Sequence, residues 1–100
     1  MRVIVLKHLR DFCLRHPDAA NALKAWAQEA AAASWKMPQD IRNQYASASF
    51  LRGNRVVFSL RGNEYRLVVA VAYRFEAVYI KFIGTHAQYD LIDAASIEMD

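Results

Sequence analysis

Two short turns nine residues apart constrain this chain more than any other feature. They are Arg52-Gly53-Asn54 and Arg61-Gly62-Asn63. Gly-Asn is a two-residue hairpin signal, because both residues tolerate left-handed backbone. Taking Gly62-Asn63 as a loop sets the register of the flanking strands. Leu60 then faces Tyr65, Phe58 faces Leu67 and Val56 faces Val69 on one side. The other side receives Arg61 opposite Glu64, Ser59 opposite Arg66 and Arg55 opposite Ala70. A slip of one residue would turn the apolar set into water, so the alternation supports this register.

The next strand extends both faces. A tight reversal at Phe75-Glu76 pairs Tyr73 with Val78, Val71 with Ile80 and Val69 with Phe82 on the apolar side. Ala70 then faces Lys81 and Ala72 faces Tyr79 on the other. This reversal has no Gly, so its length is less fixed, but the facing survives any even-length change. The polar face of the sheet is expected to present Arg55, Arg61, Arg66, Lys81, Ser59 and Tyr79.

Upstream the pattern is helical. Arg2 to Leu6 is a short β-like opening, and Leu9, Phe12 and Cys13 recur at helical spacing between Lys7 and His16. His16-Pro17-Asp18 breaks that helix and starts another, with Pro at the first position and Asp18 in the first turn or cap. The second helix runs to about Ser34, with Leu23, Trp26, Ala27, Ala30 and Ala33 on one stripe. Two helices joined this tightly form a hairpin that covers the apolar sheet face. Met37-Pro38 ends the helical region, and Gln39 to Asn43 reads as one further turn or a loop.

One hundred residues make one domain, residues 1–100, and exclude a multidomain enzyme. The single cysteine, Cys13, excludes an intrachain disulfide and a cysteine-built metal site. No run reaches the ~20 apolar residues of a membrane span, which points to a soluble, cytoplasmic protein. The net charge of +3 is uneven along the chain. Residues 45–81 hold six basic and two acidic residues, whereas residues 82–100 hold Asp90, Asp93, Glu98 and Asp100 with no Lys or Arg. Clustered Arg and Lys on one sheet face suit a polyanion such as RNA, since phosphate contacts supply most sequence-independent affinity. The bland alternative is the solvated face of a half-exposed sheet. A tail this acidic could also lie across the basic face.

Trp35-Lys36-Met37-Pro38, Val57-Phe58, Gly62-Asn63-Glu64-Tyr65-Arg66-Leu67 and Ile83-Gly84-Thr85-His86-Ala87-Gln88-Tyr89-Asp90 follow one another over essentially the whole chain. In order and spacing they resemble the HigB-type toxins of bacterial toxin–antitoxin modules, within the RelE-like superfamily of small mRNA endonucleases. The resemblance implies an α+β fold: an N-terminal strand and helical hairpin on a twisted antiparallel sheet, with a short C-terminal helix. It implies cleavage of mRNA on translating ribosomes, without a metal or other cofactor. It also implies neutralisation by a HigA-type antitoxin whose helix-turn-helix domain alone contacts operator DNA, with no membrane partner.

Such cleavage proceeds by attack of a ribose 2′-OH on the adjacent phosphate. It needs a base for that hydroxyl, cations for the developing charge and an acid for the departing 5′-oxygen. His86 is the acid–base candidate, because imidazole titrates near neutrality unaided. Thr85 could cap a short helix over His86 to Leu91, whose dipole favours the neutral ring. A plain helix-cap or packing role for His86 stays open. Tyr89 shares a helix face with His86 and could stack on a base or hold a phosphate; a buried core tyrosine is the alternative. Arg66 and Lys81 are the candidate phosphate contacts. Arg55, Arg61, Asn63, Arg74 and Tyr79 make up the expected RNA-binding set, although turn geometry alone could explain Asn63. Asp90 reads as a structural pairing partner, and Gln88 stands where such toxins commonly carry an acid. His8 and His16 read as structural, and Trp26 and Trp35 as core or antitoxin contacts. The main alternative function is a non-catalytic RNA- or ribosome-binding module using the same face; another is a purely structural partner of an antitoxin.

Overall fold

A computed structural model describes residues 1–5 and 9–98. Leu6, Lys7 and His8, expected where the first strand passes into the first helix, lie outside the described residues, as do Met99 and Asp100. The elements run β1 (Arg2–Ile4), α1 (Leu9–Arg15), α2 (Pro17–Ala32), α3 (Pro38–Gln44), β2 (Ser49–Leu51), β3 (Arg55–Leu60), β4 (Tyr65–Ala72), β5 (Ala77–Thr85) and α4 (His86–Tyr89). The five strands form one sheet in the order β1-β5-β4-β3-β2. All neighbours are antiparallel except β1, which joins β5 in parallel. The architecture is therefore the expected α+β one, with its N-terminal strand making the sheet mixed.

The β3–β4 register is the one the alternation requires: Leu60 pairs with Tyr65, Phe58 with Leu67, Ser59 with Arg66 and Arg55 with Ala70. The turn differs in detail. Its left-handed residues are Arg61 (φ 49°) and Gly62 (φ 66°), one position earlier than Gly62-Asn63. Asn63 is thereby free of any left-handed demand, and its Oδ1 accepts a long hydrogen bond from Arg66 Nη1 at 3.4 Å. At the β2–β3 turn the Gly-Asn reading holds, with Gly53 at φ 72° and Asn54 at φ 57°.

The β4–β5 connection corrects the expected pairing twice. The loop is a 3₁₀ turn, Tyr73–Phe75, followed by left-handed Glu76. Ala72 therefore pairs with Ala77 and Ala70 with Tyr79, two residues from the expected partner Lys81. Then a bulge between Val68 and Val69 leaves Lys81 outside the ladder, because Val69 pairs with Ile80 and Val68 with Phe82. One extra residue reverses the facing of everything after it. Phe82, expected under the helices beside Val69, lies on the opposite face, and Ile83 takes its place beside Leu67.

The helices form as the spacing requires. Pro17 opens α2, and the Asp18 carboxylate accepts from Ala19 N at 3.0 Å. Ala19, Leu23, Trp26 and Ala30 are its buried stripe. The segment read as a turn or loop is a true helix, α3, because Pro38 fixes its first turn and Asp40 accepts from Lys36 N at 2.8 Å. These helices and β1 bury one sheet face in the main core, where Phe58 meets Trp26, Trp35 and Tyr45 with ring centroids 5.0–6.3 Å away. The opposite face has a separate, smaller cluster of Val57, Val68, Phe82 and Ala94, joined by Leu51, Tyr89, Ile92 and Ile97.

Candidate functional site

The end of the sheet where β4 begins and β5 finishes brings together three of the four expected catalytic residues, Arg66, His86 and Tyr89. Arg66 pairs with Gly84 and Tyr65 with Thr85 across the ladder. Thr85 caps α4 in a reciprocal box: its Oγ1 accepts from Gln88 N at 3.1 Å, and Gln88 Oε1 accepts from Thr85 N at 2.9 Å. Gln88 therefore serves as a cap rather than as a carboxylate substitute. The box was legible as Thr85-x-x-Gln88, a signature that the reading of Thr85 alone passed over. His86 N donates to Glu64 O at 3.0 Å, fastening α4 to the β3–β4 turn.

Gly84 is a second residue the sequence reading missed. A Cβ there would lie 2.5 Å from Phe82 Cζ and 2.9 Å from Gln88 Oε1. Phe82 is buried and Gln88 is committed to the cap. The absence of a side chain at position 84 is thus what lets α4 fold back over β5.

The result is one constellation at one edge of the molecule. The Arg66 guanidinium donates to Ser59 Oγ at 2.8 Å and sits 5.9 Å from the centre of the Tyr89 ring. Tyr89 is partly buried against the smaller cluster, and its ring meets Arg66. His86 Nδ1 lies 3.1 Å from Asp90 Oδ2. A carboxylate accepts, so this contact favours the tautomer with the proton on Nδ1 pointing at Asp90, and leaves Nε2 without a hydrogen-bond partner among the described residues. Asp90 supplies the carboxylate partner that position 88 lacks. Beside these residues a shallow pocket of about 360 Å³ is lined by Leu51, Tyr89, Asp90, Ile92, Asp93 and Ala94 among others.

Other expected members lie elsewhere. Arg61 turns toward α2, where it pairs with Asp18; Tyr65 donates to the same carboxylate at 2.8 Å. The Tyr65 hydroxyl and its companions hold Asp18 below the usual carboxylate range, and the same contact together with desolvation raises the Tyr65 phenol. Arg74 lies in the 3₁₀ turn at the far end of β4, about 20 Å of strand from Arg66. Its guanidinium stacks over Phe75. Tyr79 is exposed on the row Arg55–Ala70–Tyr79, replacing the expected row that ended in Lys81. Lys81 bulges out and pairs with Glu98 at 2.9 Å.

Arg55 departs most from expectation: it is buried. Its guanidinium donates to Ala94 O at 3.2 Å, Ile97 O at 2.6 Å and Glu98 Oε1 at 2.6 Å. The polar face is therefore not open along its length. Residues 92–98 cover the Arg55 end, and Arg66 with α4 occupies the other.

Among the described residues, no group of three or more His, Cys, Asp or Glu side chains is placed to hold a metal ion. Burial pushes the Cys13 thiol up, away from the thiolate a nucleophile needs. No helix among the described residues is long and apolar enough to cross a membrane.

Comparison with known proteins agrees with this geometry. Residues 19–92 match the family described as HigB toxin, the RelE-like toxic component of a toxin–antitoxin system. The chain is 28% identical over 96 residues to the mRNA interferase toxin HigB of Escherichia coli K12, covering 94% of this chain and 92% of that protein. The same figures hold for the mRNA interferases HigB of Escherichia coli O157:H7 and Shigella flexneri. By a match that spans nearly all of α2, then α3, β2 to β5 and α4, this chain belongs to the HigB family of RelE-like toxins.

Proposed function

We propose that the protein is an mRNA interferase, the toxic half of a toxin–antitoxin pair, and that it cuts at the Arg66–His86–Tyr89 edge. The observation that carries this reading is the convergence of a held guanidinium, an aromatic ring and a carboxylate-oriented imidazole where β4 and β5 meet. Arg66 suits a phosphate: Ser59 and Asn63 fix its orientation, and a fixed cation stabilises the phosphorane charge without reorganising in the transition state. His86, held through Nδ1, exchanges a proton with the 2′-OH or the departing 5′-oxygen through Nε2. The Tyr89 ring offers a face on which a base can stack, next to the cation that binds the neighbouring phosphate. Lys81 is a further phosphate contact when it is not engaged by Glu98, and Asn63 and Tyr79 border the path of the strand. Arg61 acts indirectly, by fixing the turn that carries Asn63 and Glu64.

The partner is an antitoxin of the HigA type, carrying the helix-turn-helix domain, and the substrate is mRNA in the cytoplasm, held on the ribosome. A ribosome would supply much of the substrate positioning that so small an edge cannot, and in-line placement of the 2′-OH is worth several kcal/mol. Primer extension on cellular mRNA after induction tests the reading. Wild type is expected to create new 5′ ends, and His86→Ala and Arg66→Ala to lose them. New ends from both variants would overturn the site; ribosome binding by the wild type without any new ends would establish the non-catalytic module instead.

A further inference from the structure

We propose that residues 93–98 are a displaceable strap that occupies an RNA phosphate site formed by Arg55 and Lys81. The Glu98 carboxylate lies where a phosphate would, with Oε1 2.6 Å from Arg55 Nη2 and Oε2 2.9 Å from Lys81 Nζ. Two cations from different strands converging on one carboxylate make an anion site, and Arg and Lys can donate to a phosphate oxygen in a similar geometry. The Lys81 hydrogen bond and the two positive charges hold Glu98 below the usual carboxylate range.

The strap is organised to close and light enough to open. Asp93 builds its turn, accepting from Ala95 N at 3.1 Å and from the Ser96 hydroxyl at 2.9 Å, while Ile97 N bonds back to Asp93 O at 2.9 Å. Its apolar hold is limited to Ala94 and Ile97 against the small cluster. The rest is hydrogen bonds from Arg55 to two carbonyls and ion pairs at Glu98 and Asp93, and Glu98 itself is half exposed. Arg55 is satisfied entirely by this segment, through two carbonyls and one carboxylate. Opening therefore releases a cation that has no other hydrogen-bond partner among the described residues. Arg55 and Ser59 lie on the same face of β3, about 13 Å apart along the strand. An RNA strand held at Arg66 can then extend over Val57 and Phe82 onto Arg55 and Lys81, but only after the strap lifts.

This rests on the proposed RNA-cutting edge, and the test separates the two. Full-length wild type, Glu98→Gln and Lys81→Gln are titrated with a labelled single-stranded oligoribonucleotide, and amide exchange of residues 93–98 is followed with and without it. Glu98→Gln is expected to bind about fivefold more tightly, the scale of removing one half-exposed carboxylate from its two ion pairs. Lys81→Gln is expected to bind more weakly, and RNA to speed exchange across 93–98 in the wild type. Unchanged or weaker binding by Glu98→Gln beside a weakened Lys81→Gln would overturn the strap and leave the RNA edge standing. Binding unchanged in both variants would remove Arg55 and Lys81 from the RNA path and overturn the strap with it. Exchange across 93–98 that RNA leaves unchanged or slows would equally overturn displacement.

Discussion

The two faces of the sheet are closed by different means. On the helix side, α1 and α2 lay Leu9, Phe12, Leu23 and Trp26 over Val56, Phe58, Leu67, Val69 and Ile80 in one continuous core. On the other side the buried cluster has four members, and its edges are charged groups: Arg55, Lys81 and Arg66. The first face is held by apolar area, at about 2 kcal/mol per large buried side chain. The second is held largely by hydrogen bonds to cations. The second face is thus edged with ionic contacts, the kind that the proposed RNA would have to displace.

The largest test of the contrast is Phe58→Ala. It removes a ring surrounded by Trp26, Trp35 and Tyr45 and should cost about 3–5 kcal/mol in urea unfolding. Phe82→Ala, in the smaller cluster, should fall at the low end, about 3 kcal/mol. A Phe82 loss greater than the Phe58 loss would break the asymmetry. Next, Arg66→Ala should lower the rate of mRNA cleavage about 100-fold or more while shifting unfolding by less than about 1 kcal/mol. Equal damage to fold and activity would make the second face as structural as the first. Gly84→Ala should cost about 1–3 kcal/mol, because Phe82 and Gln88 must both move, and it should reduce cleavage by disturbing α4. Asp90→Asn should slow cleavage about fivefold with unchanged stability, since the pair it breaks is half exposed.

The smallest effect is one of pH. Hydrogen bonds lower Asp93 and Glu98 on the strap side and Asp18 on the helix side below their ordinary values of 3.8, 4.5 and 3.8. Such groups contribute stability in full above those ordinary values, and the contribution is lost as pH falls through the lower, folded values. Amide exchange should therefore show residues 93–98 loosening in acid while α2, with its apolar stripe, stays protected. Simultaneous loss of both would erase the difference between the faces.

The hairpin was readable because its two signals agree. Gly53 and Gly62 supply left-handed backbone, and the alternation of Val56, Phe58 and Leu60 permits one facing only. The α2 stripe was readable for a similar reason, as was the placing of His86 and Tyr89 on one helix. The bulge at Lys81 was not, because an extra residue in a run such as Val78-Tyr79-Ile80-Lys81-Phe82-Ile83 leaves plausible apolar pairs in either register. Burial of Arg55 was hidden for another reason. Its partners are two backbone carbonyls and a carboxylate more than 38 residues away, and carbonyls carry no residue identity. The acidic tail signalled its attraction to the basic block, but not that it would lie on Arg55 and Lys81 rather than on Arg66.

The parallel pairing of β1 with β5 has a consequence in time. Arg2 meets Ala77, and β5 is the strand that both places β1 and carries Thr85 and His86 to the edge. Pairing across about three-quarters of the chain closes a large loop and is slow compared with a local hairpin. Synthesis delivers β1 first and leaves it without a strand partner until β5 follows. The step that completes the sheet is thus also the step that assembles the edge proposed to cut RNA, so on that reading a growing chain gains its fold and its hazard together.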